Sequence, residues 1–281
     1  MDQQLVEIRE KQRESWNKFS SGWKKWDDLV IQFLHPMGEE IIQQLHLKAT
    51  DTVLDIAGGT GEPGLTIASK ISSGKVIITD LAEDMLTIAA ENAAKKKIKN
   101  VETQICDVCE LPFDDNSFDA ISCRFGFMFF PDLLLATKEM VRVLKPGGRV
   151  AVSVWGVAQK NFWVTAIGGT INQNMQLTPP PPGAPGMFRC AESGMIQNLF
   201  EKAGLKNTSE KEVISKLDLE SAEVYWEMMT DVAAPFVAAL SKAEDEMKEK
   251  IKQEVFQKIN EKFGNSTVSL DGSALVIAGE K

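Results

Sequence analysis

Three acidic residues stand where short apolar runs end, and their spacing points to a nucleoside site. The first, Asp55, sits inside Val53 to Gly61, read V-L-D-I-A-G-G-T-G, an apolar strand that breaks into a glycine turn before a helix opening at Glu62-Pro63. Glycines let the backbone turn sharply and approach a ligand closely, and a helix opening offers unpaired N–H groups and a positive dipole end. The second, Asp80, ends Val76-Ile77-Ile78-Thr79, where a carboxylate can accept from both ribose hydroxyls. The third, Asp107, follows Val101 to Ile105 and is placed to accept from an adenine amino group.

The loop alone leaves the cofactor open. Gly59-Thr60-Gly61-Glu62-Pro63-Gly64 also satisfies G-x-G-x-x-G, the dinucleotide fingerprint, so a NAD(P)-dependent oxidoreductase is one reading. A carboxylate at Asp55, just before the glycines, would repel a pyrophosphate but can hold a cationic amine through a water or amide network. Asp80 fits NAD and S-adenosylmethionine alike. The three acids together favour an uncharged nucleoside with an amino-acid tail. A third reading is a non-catalytic ligand-binding protein on the same fold.

With the turn, Asp80, the Cys106-Asp107 pair, Leu111-Pro112-Phe113 through Ser117-Phe118-Asp119, and Leu144-Lys145-Pro146-Gly147-Gly148-Arg149, the chain resembles the class I S-adenosylmethionine-dependent methyltransferases. Within them it is similar to the type 11 group that includes the quinone-biosynthesis C-methyltransferases. The resemblance implies an α/β, Rossmann-like seven-stranded sheet, mostly parallel with the last strand antiparallel, under a helical N-terminal lid and cap insertions. It implies S-adenosylmethionine as donor and S-adenosylhomocysteine as product. Asp55, Ala57, Gly58, Gly59, Thr60 and Gly61 would hold the methionine portion, Asp80 the ribose, and Asp107 with Val108 the adenine, with Leu81, Met85 and Cys106 as further donor contacts. Ala57 stands where the family's turn usually begins with glycine, and its methyl narrows the loop.

Strands are expected near 52–57, 75–79, 101–105, 118–123 and 149–154, alternating with helices that include Ala82 to Lys96 and Pro131 to Val143, the pattern of a parallel sheet covered on both faces. Lys145-Pro146-Gly147-Gly148 reads as a helix stop and turn. A helix near Ala191 to Ala203, a sixth strand from Lys211 to Leu217, helix from Ser221 to Phe263 and a last strand from Thr267 to Ala278 complete the pattern. This divides the chain into a helical lid (1–50), a donor-binding core (51–155), a cap insertion stiffened by Pro179-Pro180-Pro181-Pro182 (156–189) and a C-terminal part of the sheet (190–281) with helical insertion 221–263.

The first fifty residues carry an aromatic stripe: Trp16, Phe19, Trp23 and Trp26, extended by Leu29, Val30, Phe33 and Leu34. It is either a helix packed on the core or a lid in which Trp23 or Phe19 walls off a sulfonium by cation–π contact. Methyl transfer needs mainly alignment in a dry cavity, with a base only where the nucleophile must lose a proton. Bases are scarce here: the histidines are His35 and His46 and the one tyrosine is Tyr225. His35 is either a cleft-facing catalytic residue or a helix-terminal cation, and His46 reads as structural. Arg124, after the fourth strand, is a catalytic, donor or acceptor contact through its fork of donors, or part of a scaffold ion pair. Phe19, Phe125, Trp155, Trp163, Tyr225 and Trp226 are the candidates for a hydrophobic or aromatic acceptor.

A net charge of −9 argues against a general nucleic-acid surface, which needs clustered Lys and Arg. No window approaches a membrane span and the charged N-terminus has no secretory pattern, so a cytoplasmic location is expected. The lone C-x-x-C of Cys106 and Cys109 lacks a second ligand pair, and no metal is expected. The expected partner is a small-molecule acceptor, with the chain a monomer or homodimer.

Overall fold

The computed structural model describes residues 3–264 and 267–281. Among them one sheet runs β1 (Thr52–Ile56), β2 (Lys75–Asp80), β3 (Val101–Ile105), β4 (Phe118–Arg124), β5 (Leu144–Trp155), β6 (Lys206–Leu219) and β7 (Val268–Glu280). Their spatial order is β3-β2-β1-β4-β5-β7-β6. β1 to β5 are parallel, and β7 inserts antiparallel between β5 and β6. This is the seven-stranded class I methyltransferase sheet. Val53, Leu54, Asp55 and Ile56 are all buried, as a parallel strand covered on both faces requires. Strand order reverses between β1 and β4, so a crevice opens above their carboxyl ends.

The aromatic stripe divides in two. α1 (Gln3–Lys25) and α2 (Asp27–Leu45) meet at Trp26, which leaves helical geometry. α2 buries Phe33, Leu34, Met37, Ile41 and Leu45 against the sheet, whereas α1 has one fully buried residue, Ser20, and lies over the crevice mouth. The remaining helices are α3 (Gly64–Lys70), α4 (Glu83–Lys95), α5 (Leu133–Val143), α6 (Phe162–Met175), α7 (Met195–Lys202), α8 (Ala222–Val232), α9 (Ala234–Leu240) and α10 (Asp245–Phe263).

Three expectations need correction. Lys145 to Gly148 does not separate a helix from a strand. It lies within β5, where pairing jumps from Phe118–Leu144 to Ala120–Arg149, so these residues bulge out of the ladder with Gly147 at positive φ. The sixth strand begins at Lys206 rather than Lys211. It is an edge strand whose buried Val213, Ser215, Leu217 and Leu219 alternate with exposed residues, a pattern too polar to extend by composition. The stretch 221–263 is broken into three helices, because Ala233 and Glu244 leave helical geometry.

Candidate active site

The carboxyl ends of β1, β2 and β4 open into a cavity of about 650 Å³ roofed by α1 and α9. The turn after β1 is tied at its start: Gly58 N–H donates to the Thr79 carbonyl at 2.9 Å and Gly59 N–H to Asp80 Oδ2 at 3.0 Å. Ala57 adopts φ +53, a conformation that costs a residue with a Cβ on the order of 1–2 kcal/mol. Its methyl faces Gly126, where a further Cβ would come within 2.4 Å. Gly59, at φ +54, has nothing within 4 Å of a built Cβ, so that side of the turn stands open to a ligand.

The three acids take different roles. Asp80 lines the cavity and accepts from Ala82 N–H at 2.9 Å as well as from Gly59. Burial raises its carboxyl above the usual range against the pull of those N–H groups. Asp107 also lines the cavity. Its Oδ1 accepts from Cys109 N–H at 2.9 Å, while Oδ2 is buried without a hydrogen bond, with Arg9 Nη1 the nearest cation at 3.6 Å. A buried carboxylate oxygen left unmatched is costly, and an N–H donor in the cavity would satisfy it.

Asp55, expected on the methionine side, lies behind the turn. It is 0 % exposed and does not line the cavity. Oδ1 accepts from Ser122 Oγ at 2.6 Å and Oδ2 from Gly64 N–H at 3.0 Å. Burial pushes its carboxyl up to about 7, although Ser122, Arg124 and Gly64 favour the charged form. The opening of α3 offers no free N–H groups at these positions either, because Asp55 takes Gly64 and Glu62 takes Thr66 N–H at 3.0 Å. Asp55 staples the turn from behind. Gly61, at φ +114, shapes the turn but lines nothing.

The cavity brings together Trp23, Ala57, Gly58, Gly59, Thr60, Asp80, Leu81, Met85, Cys106, Asp107, Val108 and Arg124 on the expected donor side. Phe19, Phe125, Trp155 and Trp163 line its aromatic side. Besides Asp55 and Gly61, three expected residues fall outside it. His35 is exposed on α2 and does not line the cavity, although Phe33 and Leu34 just before it do. Tyr225 is fully buried in α8, its hydroxyl donating to the Trp163 carbonyl at 2.7 Å, and Trp226 packs beside the core. The helical period puts Tyr225 toward α6 rather than toward the chamber.

Arg124 has no hydrogen-bond or ion-pair partner among the described residues, though Glu62, Asp55 and Asp27 lie near enough to favour its charge. Burial lowers its pKa from the ordinary value. Five unengaged guanidinium donors in a cavity are a receptor for an anionic oxygen. Beside it, Phe125 sits at φ +59, an outlier for an aromatic residue, and stacks on Trp155 at 4.1 Å between centroids. Phe33 stacks on the same indole at 5.8 Å. Phe33 and Trp16, named from the sequence only as members of the aromatic stripe, and Phe129 and Met228 also line the cavity but were not among the expected site residues. The signal for Trp16 was its place three and seven residues from Phe19 and Trp23. Trp16 packs on both Trp23 and Phe129, closing the roof.

A family described as the ubiE/COQ5 methyltransferase family matches residues 7–161. The chain belongs to that family. Among similar proteins, a ubiquinone/menaquinone biosynthesis C-methyltransferase from Cellvibrio japonicus is 37% identical over 155 residues, 53% of this chain and 62% of that protein. A demethylmenaquinone methyltransferase from Oceanobacillus iheyensis is 31% identical over 137 residues, 47% of this chain and 58% of that protein. The chain thus spans less than two-thirds of the length of these relatives. In solved structures the fold recurs in the Bacillus YcgJ protein, at TM-score 0.57 and 22% identity over 88% of this chain and 98% of that one. It recurs also in a Haemonchus contortus phosphoethanolamine N-methyltransferase solved with phosphomonomethylethanolamine and S-adenosylhomocysteine, at TM-score 0.53 and 20% identity over 87% of this chain and 52% of that one. The family match ends at Asn161, so α8 and α9, which complete the roof of this ubiE/COQ5 family member, lie outside it. No group of His, Cys, Asp and Glu suited to a metal ion occurs among the described residues, and no described helix is long and apolar enough to cross a membrane.

Proposed function

We propose that this chain transfers a methyl group from S-adenosylmethionine to a small apolar, ring-bearing acceptor through carbon or oxygen. The observation that carries this reading is the buried Oδ2 of Asp107, paired at 3.6 Å with Arg9 but without a hydrogen bond, in the same cavity as Asp80 and an unengaged Arg124. Asp80 accepts from the ribose hydroxyls, and Asp107 with Val108 meets the adenine amino edge. The turn from Ala57 to Thr60 lies along the methionine portion, held in place by Asp55 from behind. Bound there, S-adenosylmethionine supplies an electrophilic methyl on a sulfonium and leaves as S-adenosylhomocysteine. Trp16, Phe19 and Trp23 exclude water from that centre, and Arg124 holds the acceptor's ionised oxygen beside the aromatic wall. For an acceptor that enters already ionised, methylation at oxygen needs no histidine base, and methylation at carbon releases the displaced ring proton to solvent after the methyl has transferred.

A cytoplasmic location and a monomeric or homodimeric state belong to the same proposal. Four free cysteines support a reducing compartment. Family membership and the acid at Asp107 speak against the nicotinamide-dependent alternative, whereas Asp80 fits either cofactor. The test is calorimetry followed by turnover. S-adenosylmethionine and S-adenosylhomocysteine are expected to raise the melting temperature, and NAD and NADP to leave it unchanged. Radiolabelled methyl transfer to a panel of hydroquinones and phenols then separates an enzyme from a binding protein. Stabilisation by NADH but not by S-adenosylhomocysteine overturns the reading.

A further inference from the structure

The wall of the aromatic chamber is fixed by a residue that does not line it. Asn161 stands between β5 and α6, 0 % exposed, and its carboxamide uses its full hydrogen-bonding capacity. Its Oδ1 accepts from Trp163 Nε1–H and from Ser273 N–H, each at 3.0 Å. Its Nδ2 donates to the carbonyls of Ser273 at 3.0 Å, Val157 at 3.1 Å and Gly156 at 3.4 Å. Two N–H donors converging on one amide atom identify that atom as the oxygen. The contacts bind the end of β5, a point on β7 and an indole ring into one unit. Gly156 makes this crossing possible: a Cβ there would meet Ser273 Oγ at 2.8 Å.

The indole so held is part of the chamber. Trp163 lies 4.7 Å from Trp155 and 5.4 Å from Phe33 by ring centroids, and all three line the cavity. A Trp ring has one N–H, and burying it without a partner is unfavourable, so the position of Asn161 Oδ1 selects one ring orientation. Building on the proposed function, we infer that Asn161 is the positioning residue for the acceptor wall. It sets the shape of the chamber through Trp163 while leaving the donor end, where no atom of its network lies, undisturbed.

A purely architectural Asn161 would clamp Gly156, Val157 and Ser273 with no regard to the indole. A double-mutant cycle separates the two roles. The probe is 1-anilinonaphthalene-8-sulfonate, an anionic ring compound, titrated against the full-length protein with S-adenosylhomocysteine affinity measured in parallel. Asn161→Ala is expected to weaken probe binding on the order of tenfold, within the coupling expected of residues in direct contact, and to change the near-ultraviolet dichroism of the tryptophan cluster. Trp163→Phe, which keeps a ring but lacks the N–H, is expected to abolish most of the further effect of Asn161→Ala. Asn161→Asp keeps the acceptor oxygen and is expected to restore part of the tryptophan signal.

Additive effects of the two changes overturn the inference, as does a wild-type probe site indifferent to Trp163→Ala. Equal losses of probe and S-adenosylhomocysteine affinity in a folded Asn161→Ala also overturn it. Failure of the wild type to bind S-adenosylhomocysteine at all would sink the methyltransferase reading instead, leaving the probe measurement to judge Asn161.

Discussion

The two ends of the cavity are built by opposite means. The donor end is backbone and carboxylate, fixed by strand register: Asp80 closes β2 and holds the turn after β1 through Gly59, and Asp107 follows β3. The acceptor end is ring faces, some on helices (Phe19, Trp23, Phe33, Trp163) and some where strands end (Phe125 after β4, Trp155 closing β5), set by side-chain packing and a few long-range hydrogen bonds such as Trp23 Nε1–H to the Val232 carbonyl at 3.2 Å. A ladder with period two leaves little choice of where an acid points, whereas a helix can turn its stripe toward a core or a cleft. Donor recognition is therefore expected to be sensitive to single polar atoms, and acceptor recognition to how the roof packs.

The largest break in that comparison comes from Asp80→Ala. It removes the acceptor of Gly59 and Ala82 N–H and, in the proposed complex, the acceptor of two hydroxyls. Hydrogen bonds to charged groups contribute about 1.5–3 kcal/mol each, so S-adenosylhomocysteine affinity is expected to fall by at least a hundredfold by calorimetry, about 3 kcal/mol, with the aromatic chamber intact. Unchanged donor affinity in a folded variant would mean that Asp80 serves only the loop.

Gly58→Ala tests the donor end by volume. The added methyl would lie 2.4 Å from Ile78 Cγ2 and 2.9 Å from Asp55 Oδ2, neither of which has room to retreat from the buried core. Overpacking of this kind costs about 1–3 kcal/mol, to be read as a lower denaturation midpoint accompanied by weaker donor binding. A methyl accepted without loss of either would show the turn to be looser than its contacts.

Asp55 sharpens the contrast through pH. Burial pushes its carboxyl up to about 7 in the fold, whereas in the unfolded chain it ionises near 3.8, the ordinary value for an aspartate. Because the folded pKa is raised, the associated stability is fully present below the unfolded pKa and is lost as pH climbs through the folded one. Asp55→Asn does not ionise and is expected to gain on the wild type by up to about 1.4 kcal/mol per pH unit over that window, levelling off above about pH 7. Urea unfolding at a series of pH values measures the gap. A gap independent of pH would show that Asp55 is ionised throughout, compensated by Arg124.

These contrasts also explain what was legible in the sequence. The five parallel strands, the glycine turn and the acids at Asp80 and Asp107 could be placed because apolar runs end where polar chemistry begins. Asp55 could be found but not assigned, since a strand position does not reveal whether a carboxylate faces the ligand or, as here, Ser122 and Gly64 behind the turn. Trp23 and Trp163 were legible as aromatic residues, while Tyr225 looked the same and serves α6 instead. Phe125 carried no signal for its positive φ, which β4, Ser153 and Trp155 impose from outside its own neighbourhood. Asn161 was invisible, because a single Asn before a helix reads as a cap until β7 is folded beside it.

The smallest effect expected concerns how the roof is fastened. Asp231, near the end of α8, accepts from Trp26 Nε1–H at 2.8 Å and from Lys25 Nζ at 2.7 Å. Gly22 allows α1 to approach, since a Cβ there would lie 2.2 Å from the Asp231 carbonyl oxygen. The ion pair is largely solvent-exposed, so it contributes no more than about 1 kcal/mol. Asp231→Asn keeps one acceptor for the indole and weakens only the charge pairing. It is therefore expected to leave global stability and S-adenosylhomocysteine affinity within about fivefold of the wild type, while amides of α1 exchange faster than those of β1 and β4. Loss of α1 protection confined to that helix would make the roof a separable cover, opening without the sheet. If α1 instead exchanged only with global unfolding, in both proteins, the roof would be ordinary core, and the difference between the two ends of the cavity would be one of composition rather than of stability.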